Sequence, residues 1–86
     1  MTKYRFRLSQ TTELNVKNDN HLLQEIGSVL MCRGLEMSLL LKNIANACCD
    51  WNGEAYRYGN KDELITDMKK NKVLVDINER KANEAN

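Results

Sequence analysis

The sequence predicts an α+β (or small α/β) fold: three to four strands in one sheet, with two to three helices packed on one face. Three observations carry this. Apolar and charged residues alternate near the N-terminus, as in a half-buried strand. Apolar residues then recur at helical spacing through the middle of the chain, and alternation returns near position 75. The expected order is β(β)ααβαβ, with residues 1–78 as one globular domain and 79–86 as a polar, frayed tail.

Tyr4, Phe6 and Leu8 alternate with Lys3, Arg5, Arg7 and Ser9, which predicts a strand over 3–9. Leu14 and Val16 keep the same parity, so a second short strand is expected at 13–17, with the polar run 9–12 bending the chain between them. A single strand over 4–16 would be ~43 Å long, too long for this domain.

Asn18, Asp19 and Asn20 supply helix N-caps. The helical phase behind them holds for nearly thirty residues. Gly34 argues for a break, with Gly34 as the left-handed residue after the first helix. Two helices, near 20–33 and 36–50, are therefore favoured, with one long or kinked helix as the alternative. Residues 54–58 read as a strand, Asn60 caps a further helix with Glu63 in its first turn, and Asn71 stops it. Val73, Val75 and Ile77 then alternate with polar neighbours as a last strand, Leu74 being the exception. The predicted core is Phe6, Leu8, Ile26, Leu30, Leu40, Ile44, Leu64, Ile65, Met68, Val73 and Val75.

Composition excludes several classes. Hydrophobic residues make up 42% of the chain and charged residues 29%, an ordinary globular balance. The net charge of +1 creates no overall attraction to polyanions, so any such attraction must come from local clustering. No signal peptide is visible, and the most apolar stretch, 35–49, is too short and too polar to span a bilayer. Cys32, Cys48 and Cys49 lack a C-x-x-C spacing and are odd in number. They read as reduced thiols in a cytoplasmic protein, Cys48 as a packing residue. The small, asparagine-rich, motif-free composition resembles that of accessory proteins encoded by phages and mobile elements.

The chemistry of catalysis finds little support. His21 is the single histidine and sits where a helix begins, a capping or solvated position. No zinc set, glycine-rich phosphate loop or nucleophile elbow is present, so no cofactor or metal is expected and the chain reads as a non-enzyme. Asp50, Asn52 and Glu54 alternate in a turn, but the glycine is misplaced for a calcium loop and the twelfth position is Lys61. A helix-turn-helix is disfavoured because the second helix would present Leu39, Leu40 and Leu41 with only Lys42 as a basic residue.

The expected function is protein binding: a small adaptor or inhibitor that occupies a partner protein's surface. The candidate contact residues are Lys3, Arg5, Arg7 and Arg57, with Trp51, Tyr56 and Tyr58 as aromatic anchors. Val29, Met31, Leu35, Leu39 and Leu41 widen the apolar helical stripe, which predicts either full burial or a homodimer through the helical surface. The alternative is a nucleic-acid-binding regulator using a basic sheet face, with Tyr56 and Tyr58 outward beside the arginines.

Overall fold

The structure is a computed structural model that describes residues 2–8 and 10–77. Its elements run ββαααβ: β1 (Thr2–Phe6), β2 (Thr12–Val16), α1 (Asp19–Val29), α2 (Met37–Asn52), α3 (Lys61–Lys70) and β3 (Leu74–Asp76). The tail expected over 79–86 lies outside the described residues.

The sheet has three strands in the order β2-β1-β3, and both pairings are antiparallel. Tyr4 stands opposite Leu14 and Asp76, while Phe6 stands opposite Thr12 and Leu74. Residues directly opposite one another share a face, so the register places Tyr4, Phe6, Leu14, Val16 and Leu74 toward the helices. Lys3, Arg5, Glu13, Asn15 and Val75 take the outer face. α1 packs on β2, α3 packs on β3, and α2 packs on both helices. The alternation of β1 and β2 and the two-helix division are as the sequence favours.

The last strand corrects the expected parity. Val73 is fully buried, but it lies before β3, where its N–H closes the end of α3 on the Met68 carbonyl. Register with Phe6 then turns Leu74 inward and Val75 outward, so Val75 is only half-buried. Leu30 is also half-buried, because it caps α1 instead of lying within it. The other nine predicted core residues are buried, joined by Leu22, Leu23, Leu41, Ala45, Cys48 and Tyr56 among others.

Residues 54–58 form no strand. They connect α2 to α3, and the backbone N–H of Arg57 is taken by the Asp67 carboxylate at 2.8 Å. A donor spent on a side chain cannot join a ladder. The sheet therefore has three strands among the described residues.

The helix ends use two matching hooks. Asn18 and Asn60 cap the starts of α1 and α3, accepting from the N–H groups of His21 and Glu63 at 2.9 Å each. At the end of α1, Cys32 N–H donates to Gly27 O at 2.8 Å and Met31 N–H to Ser28 O at 3.2 Å. At the end of α3, Val73 N–H donates to Met68 O at 2.9 Å and Lys72 N–H to Lys69 O at 3.1 Å. Both are Schellman motifs, and the left-handed residues are Met31 and Lys72, each with φ of 61°. The sequence reading placed that role on Gly34. Gly34 is indeed left-handed, with φ of 81°, but it lies three residues further along the loop.

Candidate interaction surface

The connector 54–60 builds the most distinctive surface. Asn52, the last residue of α2, accepts the Glu54 N–H on Oδ1 at 3.0 Å and donates from Nδ2 to the Tyr56 hydroxyl at 2.7 Å. Tyr56 is thereby fixed inward and is buried. Burial is the main cause that pushes its phenol above the ordinary value, against the hydrogen bond from Asn52, which lowers it.

Arg57 then clamps the connector to α3. Its backbone N–H and Nε both donate to Asp67 Oδ2, at 2.8 and 3.1 Å, and Nη2 donates to Oδ1 at 2.9 Å. This is a two-pronged guanidinium–carboxylate pair with a third, main-chain donor. The hydrogen bonds from Arg57 hold the Asp67 carboxyl below the usual carboxylate range. The pair is lopsided: the Asp67 side chain is 12% exposed and that of Arg57 is 58%. Its Coulomb energy is therefore screened by water on the arginine side, and its main effect is to position the loop.

With Arg57 fixed, Tyr58 and Gly59 pass beside the start of α2 and the first turn of α3. A cleft of about 600 Å³ opens there, lined by Ser38, Leu39, Lys42, Tyr58, Gly59 and Glu63, with Arg57 at its edge. Leu39 and Tyr58 are 48% and 47% exposed. A side chain at Gly59 would come within 2.8 Å of the Glu63 carboxylate, which would have to move aside.

The expected contact residues do not form one site. Lys3 and Arg5 lie on the outer sheet face, Arg5 Nη2 standing 3.7 Å from Glu13 Oε2. Arg7 lies just past β1; its N–H donates to Val73 O at 2.8 Å and its Nη1 to Lys72 O at 3.4 Å. Arg57 and Tyr58 belong to the connector, Tyr56 is inside, and Trp51 is exposed in the last turn of α2. The expectation that Arg57 and the two tyrosines would share the sheet face is corrected: it depended on a strand at 54–58. Sequence reasoning missed Leu39 and Lys42 as partners of Tyr58, although Leu39 was already surplus to the helical stripe. It also passed over the run Lys69, Lys70, Lys72, whose clustering was legible as charge alone.

The remaining reactive groups are engaged or buried. His21 Nδ1 accepts the Lys17 N–H at 3.1 Å and its Nε2 lies 3.3 Å from Glu25 Oε1. Burial pushes the Cys48 thiol up to about 12. Among the described residues no group of His, Cys, Asp and Glu is placed to hold a metal ion, and no helix is long and apolar enough to cross a membrane. No protein-family model, curated protein or solved structure matches the chain.

Proposed function

We propose that the chain is a small non-enzymatic protein-binding module, an adaptor or inhibitor that acts by occupying a partner's surface. The observation that carries this is the cleft between α2 and the Tyr58–Gly59 turn. It is mainly apolar, it holds a leucine and a tyrosine about half exposed, and its shape is fixed by three Arg57–Asp67 hydrogen bonds. A pre-set apolar depression with charged edges is the usual form of a hot-spot pocket, because little ordering entropy is lost when a partner enters. The absence of catalysis in this reading rests on how the candidate groups are used: both His21 nitrogens face partners, Asp67 accepts three hydrogen bonds from Arg57, and the Cys48 thiol is buried. The nucleic-acid alternative loses its stacking platform, since Tyr4 and Tyr56 point inward and Tyr58 lies off the sheet.

A photo-cross-linking residue placed at Leu39 in the native host tests this reading, with Gln24 on α1 as the control site. The expected result is a discrete adduct from position 39 that is lost when Tyr58→Ser is added. Equal cross-linking from both positions, or none from position 39, overturns the reading.

A further inference from the structure

We propose that the cleft continues past Arg57 into a basic strip, and that together they take an acidic segment of a partner protein: an apolar anchor followed by several carboxylates. The inference rests on the cleft reading above and specifies the partner's chemistry.

Arg57 joins the two parts. It edges the cleft, and it also lines a second depression of about 300 Å³ with Glu54, Asp67, Lys70 and Asn71. Asn71 Nδ2 donates to the Asp67 carbonyl at 3.0 Å, which sets the turn that follows α3. The next residue is Lys72, whose left-handed backbone ends the helix and whose carbonyl accepts from Arg7 Nη1 at 3.4 Å. Lys69 completes the group, its Nζ standing 5.4 Å from the centre of the Tyr4 ring. Residues more than sixty positions apart in the chain are thus gathered around one helix end.

Exposed cations cluster there. Arg57 is offset by Asp67 and Glu63. Arg7, Lys69, Lys70 and Lys72 are all exposed, and they share the region with two further carboxylates, Glu54 and Asp76, the latter opposite Tyr4 in the sheet. A helix C-terminus amounts to roughly half a negative charge, so one lysine would suffice to complement it. Four cations, two of them (Arg7 and Lys72) from outside the helix, exceed that need. The excess is placed to act on something outside the molecule.

An acidic peptide fits better than a nucleic acid. The strip adjoins an apolar cleft, and Glu54 and Glu63 lie along the path. A continuous phosphate backbone would meet both carboxylates, whereas a segment with an uncharged anchor passes Glu63 without repulsion and meets only Glu54 with its acids. A segment with an uncharged anchor at the Leu39–Tyr58 end and carboxylates beyond Arg57 meets apolar groups first and lysines next.

The test is fluorescence anisotropy at 50 mM and 300 mM salt with a labelled peptide bearing Leu-Phe, a Gly-Ser spacer and six alternating Asp and Glu. Controls are the same peptide with Asn and Gln for the acids, one with Gly-Ser for Leu-Phe, and a twelve-nucleotide oligothymidylate. The expected result is binding of the acidic, anchored peptide that weakens at high salt and falls roughly tenfold in Arg7→Ala/Lys70→Ala/Lys72→Ala. A milder Lys70→Gln/Lys72→Gln variant, with its melting curve recorded, separates lost charge from lost fold. Equal binding of the neutral anchored peptide would leave the cleft reading intact and overturn the basic strip. Equal binding of the unanchored acidic peptide would remove the cleft from the interaction and overturn the combined surface. Tighter binding of the oligothymidylate, or no peptide binding at 1 mM, also overturns it.

Discussion

Met31→Gly should stabilise the protein, although glycine usually weakens a helix. Met31 occupies the left-handed position at the end of α1 with φ of 61°, and its side chain is 91% exposed. It therefore contributes almost no packing that the substitution could remove. A residue with a Cβ loses ~1–2 kcal/mol in this conformation, and glycine avoids that loss. Against this, glycine carries ~0.5–1 kcal/mol more backbone entropy in the unfolded chain. The balance is a gain of about 0.5–1 kcal/mol, which for a domain of this size raises the melting temperature by roughly 3–6 °C. The assay is thermal unfolding followed by circular dichroism, with urea titration to confirm that the midpoint moves at constant slope. Gly34→Ala, at φ of 81° and with open space around it, should move the midpoint the other way by a similar amount. If Met31→Gly leaves the melting temperature unchanged or lowers it, Met31 is not the hook that ends α1.

Ile44 is fully buried at the centre of α2, so Ile44→Ala should cost about 2–4 kcal/mol, read as a large drop in the denaturation midpoint; a shift of a degree or so would refute its placement. Cys49 is exposed and Cys48 buried with its thiol pushed up to about 12, so a thiol reagent should label Cys49 quickly and Cys48 only on unfolding, as followed by mass spectrometry. The Asp67 carboxyl is held low by Arg57, so its stabilising contribution is present above its unfolded value near ~3.9 and is lost as pH falls through the lower, folded value. Asp67→Asn should therefore lower stability at neutral pH and flatten the acid limb of the stability profile, measured by urea titration between pH 2 and 7; an unchanged acid limb would remove Asp67 from the account.

What could be read in the sequence was whatever depended on local period. Tyr4, Phe6, Leu14 and Val16 announced their inward parity because each has polar neighbours on both sides. The caps Asn18 and Asn60 were equally legible, since an N-cap acts within three residues. Val73, Leu74 and Val75 were ambiguous because three consecutive apolar residues carry no parity. The long-range pairing of Leu74 with Phe6 decides it. The connector 54–58 looked like a strand because Tyr56 and Tyr58 alternate with Ala55 and Arg57, but the competing acceptor, Asp67, lies ten residues on and in another element. The contact surface failed for the same reason. Exposed arginines and tyrosines could be nominated from residue type, but which of them share a surface is set by packing of α2 against α3.

The strand order has a consequence for how the chain acquires its fold. β1 is central, yet its two neighbours come from opposite ends of the sequence: β2 follows within a few residues, and β3 begins at Leu74. One side of β1 can close as a local hairpin on a microsecond timescale. The other side has no partner until about sixty more residues have been synthesised, which takes ~3–12 s at ~5–20 residues per second. During that interval Phe6 has its hairpin partner but not Leu74, and one edge of β1 presents unpaired N–H and C=O groups to any neighbouring chain. Lys3 and Arg5 lie on this strand and Arg7 just past it, so nascent copies that meet there repel one another until β3 arrives.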